Sequence, residues 1–294
     1  MRVAWGVLGL ALVTLATVGR GEPGPGGALP VAAPCGQAPV GMACVPGGFF
    51  ERGRDHGPAD ERPRERVWLQ TFYLDATEVT VEAWNACVAS GRCADAKTLY
   101  SDYSRPRQPK VGVSWYDAAG YCRAVGKHLP TEAQWEKAAR GTDGRLYPWG
   151  DQPATCDRAV IMDNRGRSCG VKKAVGRNPE KGRTWLVAQL PPNAYGLYDL
   201  SGNAEEWVAD WSSESYEACG EACRGVDPRG PCAGAETCAT SREKVVRGGS
   251  WYWPAENATA THRRFHVPSN RPYHHFGFRC AAGVDEAARL ESAR

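Results

Sequence analysis

Apolar residues recur at three- and four-residue spacing in three short stretches. Each stretch opens on a hydroxyl residue and closes near a glycine. Val81, Trp84 and Val88 share one helical face behind Thr80, a good N-cap, and Gly91 ends the run. Trp115, Ala118, Ala119 and Cys122 repeat the pattern behind Ser114, with Gly126 at the end, which points Cys122 inward. The third stretch starts at Thr131, where Gln134 completes a capping box, and stops at Gly141. The back half keeps no such period. It breaks into strand-length runs between turns rich in Gly, Pro, Asn and Asp. A helical front half and an irregular, β-rich back half predict an α+β domain.

The pattern is different at the N-terminus. Arg2 precedes an apolar run from Val3 to Val18, and small residues lie near Gly19. This predicts a secretory signal peptide over residues 1–21. The run is short for a membrane span, so no stable span is expected after cleavage, an uncleaved anchor being the alternative. Cys35 is the first cysteine, well past any lipidation position. Residues 22–43 are rich in Gly, Pro and Ala without periodicity and read as a flexible linker. The folded domain is expected over residues 44–282, with residues 283–294 as a tail.

Composition narrows the class. At 294 residues the chain is long for one domain and short for two, and its eleven tryptophans can fill a sizeable core. A net charge of +3, with scattered basic residues, carries no nucleic-acid footprint. Twelve cysteines, an even count in a chain expected to leave the cytosol, point to disulfides in a secreted or periplasmic protein. Cys35/Cys44, Cys87/Cys93 and Cys156/Cys169 are close in sequence. Cys219, Cys223, Cys232 and Cys238 read either as further disulfides or as a zinc site. The absence of a nearby histidine and the oxidising compartment favour disulfides.

Ordered motifs then carry a resemblance. RGGSW (Arg247–Trp251) precedes GFRC (Gly277–Cys280), and PGGFFERG (Pro46–Gly53) and YLDATEVT (Tyr73–Thr80) stand upstream. VGVSWYDAAGYCRAVGKHLPTEAQWEKAARG (Val111–Gly141), YPWGD (Tyr147–Asp151) and PPNAYGLYDLSGNAEEWVADW (Pro191–Trp211) complete the set. Together, over roughly Cys44 to Ala282, they resemble the formylglycine-generating enzyme, or sulfatase-modifying factor, family. The resemblance implies a C-type-lectin-like fold with little regular secondary structure. It also implies a disulfide between Cys122 and Cys280.

The same resemblance sets a chemical expectation that the residues do not meet. Family enzymes bind copper through two cysteines shortly after GGS, because soft Cu(I) is held by thiolate sulfur. Here Trp253 occupies the first of those positions, the second falls near Ala258, and Cys280 already belongs to GFRC. Copper is therefore not expected. The iron site of the sulfoxide-forming branch draws its histidines partly from a separate helical domain, which is not expected here, so an iron oxygenase of that kind is not expected either. Ser250, Tyr252, Trp253, His262, Arg263, Arg264 and His266 occupy the expected pocket. Aromatic and arginine side chains suit a recognition surface; equally, they could fill the space of a lost site. Trp251 reads as core. The i, i+4 pair His262 and His266 would share a metal on a helix but not on strand and loop.

DLSGNAEEW offers a different ion site. Calcium takes six to eight oxygens, many from backbone. Carried over by resemblance, its ligands are the Asp199 side chain, the Gly202 and Ala204 carbonyls and the Glu206 side chain. A polar turn satisfied by water is the plainer alternative. Two functional readings follow. One is a calcium-stabilised binding scaffold for a protein, peptide or glycan. The other is a divergent oxidoreductase acting on a peptidic or metabolite substrate, with His262 or His266 as acid or base.

Overall fold

Thr80, Ser114 and Thr131 cap three helices in the computed structural model. It describes residues 30–96, 101–172, 182–270 and 274–292. In α1 (Val81–Ala89) the Thr80 hydroxyl accepts from the Ala83 N–H. In α2 (Trp115–Ala124) Ser114 and Asp117 bond reciprocally, and in α3 (Glu132–Arg140) Thr131 and Gln134 do the same. Each box satisfies N–H groups that the first helical turn leaves unpaired.

The described strands pair into three sheets. β1 (Met42–Val45), β4 (Phe72–Asp75) and β9 (Ala281–Gly283) form an antiparallel sheet centred on β4. β2 (Gly48–Arg52) pairs with β3 (Glu65–Leu69). β5 (Glu205–Trp211), β6 (Lys244–Arg247), β7 (Arg263–His266) and β8 (Phe276–Gly277) run in the order β7-β6-β5-β8, with only β5 and β8 parallel. Phe50, Phe72, Trp135, Val208 and Val245 form one core cluster. Trp84, Trp115, Trp207, Phe276 and Phe278 form a second.

Helix α3 is buried almost all round, including Glu132, Glu136, Lys137 and Arg140. Buried charges must be paired. Arg247, fully buried, reaches Glu132 at 2.9 Å and Glu136 at 2.7 Å. Arg263 reaches Glu132 at 2.7 Å, and Arg140 reaches Glu136 at 2.9 Å. The arginine of RGGSW is therefore a tie between β6 and α3.

All twelve cysteines are oxidised. Cys122 bonds to Cys280 across a sequence separation of 158 and sits within the second core cluster. The other bridges are local: Cys35–Cys44, Cys87–Cys93, Cys156–Cys169, Cys219–Cys223 and Cys232–Cys238. The cysteine cluster is thus two disulfides and offers no thiolate to zinc.

Two boundaries differ from expectation. The described part of the 22–43 segment is held down: Cys35 is bridged to Cys44, Gly36 N–H donates to the Tyr73 hydroxyl, and the Thr71 hydroxyl donates to the Ala33 carbonyl. Composition alone hides such anchors. Beyond residue 283 the chain forms a further helix (Val284–Ser292), with Ala287 buried and Leu290 packed against the Met42–Tyr73 cluster. The signal-peptide segment lies outside the described residues. Among those described, no helix is long and apolar enough to cross a membrane.

Candidate functional site

Side chains alternate across a strand, and that alternation divides the expected pocket. On β7, Arg263 turns into the ion network and is buried against Glu132. Arg264 and His266 point to the other face. Arg264 reaches Glu205 at 3.2 Å and lies over the Trp253 ring at 4.8 Å. His266 meets Trp207 and Phe276 edge-on. His262 precedes the strand and lies near Asn257 and Glu61 instead. Ser250 is fully buried. The seven residues therefore do not surround one cavity. Tyr252, Trp253, Arg264 and His266 are brought together; Ser250, His262 and Arg263 are not. His262 and His266 face different neighbours. Trp251 is fully buried, as a core residue should be.

The face that does form also takes in residues from distant segments. Glu205, on β5, is buried beneath Arg264, and His275 Nε2 lies 3.5 Å from its carboxylate. Tyr252 stacks on His275 with ring centroids 5.2 Å apart, and Arg167 lies 3.4 Å above the Tyr252 ring. Burial, with His274, Arg264, His266 and Arg167 nearby, pushes His275 down to about 2 and so keeps it neutral. Burial raises the Glu205 carboxyl against the pull of Arg264. Alternation along β5 is the signal that could have found Glu205: if Glu206 faces one side, Glu205 must face the other.

Glu206 faces an acidic cluster. Arg279 grips both of its oxygens at 2.7 and 2.8 Å, and the Trp135 indole donates at 2.7 Å. Asp199, in the left-handed region at φ +57°, accepts from the Ala188 N–H at 2.8 Å. Buried Glu78 accepts from Asn203 at 3.0 Å and lies against Asp199. Burial and then the Asp199 charge push Glu78 well above the usual carboxylate range, and burial raises Asp199 too. Gly202 also sits at positive φ, and a Cβ there would stand 2.5 Å from the Val160 carbonyl oxygen. Asp199 lines a small cavity of about 30 Å³ with Trp149, Pro191, Pro192 and Ser201. Among the described residues, no three His, Cys, Asp or Glu side chains gather closely enough to hold a metal alone. A cation here would need backbone oxygens.

The sulfatase-modifying factor enzyme 1-like domain profile matches residues 30–284. The chain belongs to the sulfatase-modifying factor family. Its match begins before the expected boundary at residue 44 and takes in the pinned segment. The formylglycine-generating enzyme of Streptomyces coelicolor is 34% identical over 298 residues, covering 83% of this chain and 90% of that protein. A protein named serine/threonine-protein kinase pkn1 from Chlamydia pneumoniae is 33% identical over 266 residues, covering 83% of this chain. The chain spans only 38% of the length of that relative. The structure of PvdO from Pseudomonas aeruginosa superposes with a TM-score of 0.63 at 25% identity, covering 83% of this chain and 94% of that one. Treponema denticola variable protein 1 shares the fold, with a TM-score of 0.62 at 22% identity.

Proposed function

We propose that this family member lacks copper-dependent formylglycine synthesis and acts outside the cytosol as a calcium-stabilised binding scaffold. One observation carries the reading: every cysteine is tied in a disulfide. Copper(I) binding by the family's cysteine pair requires free thiolates on the protein. Trp253, beneath Arg264, stands where the resemblance puts the first of them. The disulfides themselves fit an oxidising compartment.

Incubating the protein with copper, oxygen and a cysteine-containing peptide substrate of formylglycine-generating enzymes should yield no aldehyde by mass spectrometry. Turnover by the wild-type chain with stoichiometric copper would overturn the reading.

Calcium fits the charge of the acidic cluster. Glu78, Asp199 and Glu206 lie within electrostatic reach of one another, and Arg279 is the guanidinium among them. A divalent cation would favour the charged forms of Glu78 and Asp199, which burial by itself disfavours. Asp199, Glu206 and the Gly202 and Ala204 carbonyls would hold it, and its contribution is structural. A ligand that binds only the folded state adds about 2.7 kcal/mol at roughly 100-fold excess over its Kd. Chelation should therefore lower Tm by about 5–10 °C, and added calcium should restore it. A Tm indifferent to chelator, with no calcium in the purified protein by mass spectrometry, would remove the ion from the proposal.

A further inference from the structure

We infer that the Tyr252–Trp253 face binds an acidic glycan whose carboxylate or sulfate pairs with Arg167. This rests on the scaffold reading and names the ligand class of that same face.

Arg167 is the starting point. Arg247, Arg263, Arg264 and Arg279 each pair with a buried glutamate. No carboxylate of the described residues pairs with Arg167, although it is half-buried. It lies 3.4 Å from the Tyr252 ring centroid, and His275 stacks on the same ring. A guanidinium stacked on a ring keeps its in-plane N–H edge free to take an oxyanion bidentately.

The neighbours decide what carries that oxyanion. Arg264, His266, His274 and Arg167 converge on His275, so the face is rich in donors. Glu205, a carboxylate at this face, is buried behind Arg264. A peptide backbone would bring N–H groups that find few side-chain acceptors here. A sugar brings ring, hydroxyl and acid oxygens that accept. Half-exposed Trp253 gives the apolar side of a pyranose something to rest on.

The test titrates the full chain with chondroitin sulfate, polygalacturonate, neutral dextran, polyglutamate and inorganic sulfate, followed by calorimetry. Arg165, exposed and paired with Asp163, supplies the charge control. At least one acidic polysaccharide should bind the wild type, and dextran should not. Arg167→Gln should weaken binding about tenfold or more, and Arg165→Gln by less than about twofold. Trp253→Ala should also weaken it, which keeps the test open should Arg167→Gln fail to fold. Equal losses in the two arginine variants would mean diffuse charge and sink the site. So would a folded wild type that binds neither polysaccharide. Equally tight, Arg167-dependent binding of polyglutamate or inorganic sulfate would replace the glycan with a peptide or a small anion. The scaffold reading survives those outcomes and falls only with aldehyde formation in the oxidation assay.

Discussion

Replacing Arg247 by methionine should destabilise the fold by about 3–5 kcal/mol, the usual cost of removing one partner from a buried ionic group. Arg247 is fully buried and donates to Glu132, Glu136 and the Thr261 and Ala260 carbonyls. Methionine keeps much of the volume and none of the donors. Glu136 retains Arg140, the Gly53 N–H and the Tyr216 hydroxyl, and Glu132 retains Arg263. Both carboxylates nevertheless lose a cation in a buried site. Burial alone would raise Glu132, but Arg263 and Arg247 hold it below its ordinary 4.5. A depressed carboxylate gives its full stabilisation above the unfolded value and loses it as pH falls through the folded one. The variant should therefore unfold in acid at higher pH than the wild type. Denaturant titration at neutral pH and an acid titration check both parts. A variant with unchanged midpoints in both would show that β6 and α3 are held by apolar packing alone.

Removing the Cys122–Cys280 bridge by a double substitution to alanine should cost about 5 kcal/mol at most, from the entropy of closing so long a loop. A compact unfolded state would reduce that figure. Both sulfurs lie in the core, with Trp84, Tyr121 and Phe278 packed around them, so some packing is lost as well. The local bridges close much shorter loops. Double substitution of Cys232 and Cys238, separated by 6 residues, should cost distinctly less. Comparing the two pairs by denaturant midpoints isolates the long-range effect. Equal losses would mean that loop length does not set the contribution. Alkylation of unreduced protein should label neither Cys122 nor Cys280.

The helices were legible because caps and apolar spacing are local. Thr80, Ser114 and Thr131 each signal a helix start within a few residues, and all three helices begin there. The candidate face was only partly legible. Its aromatic residues and Arg264 lie close together in sequence, but Arg167, Glu205 and His275 come from distant segments. Glu205 and His275 meet Arg264 through the β7-β6-β5-β8 order, and Arg167 joins them through the Ser168 N–H bonded to the Trp251 carbonyl; no local pattern encodes either. Arg263 shows the limit most clearly. It is adjacent to Arg264 and equally basic, yet strand alternation sends one into the ion network and the other to the Tyr252–Trp253 face.

The sequence by itself determined the family frame, the helix starts, the inward Cys122 and the absence of cysteine at Trp253. Those depend on short-range chemistry and on which side chains exist at all. Only the tertiary structure decided that Arg247 ties strand to helix, that residues 284–292 form a helix, and that Arg167 stands above Tyr252. Those depend on which residues distant in sequence become neighbours, and on the demand that a buried charge find a partner.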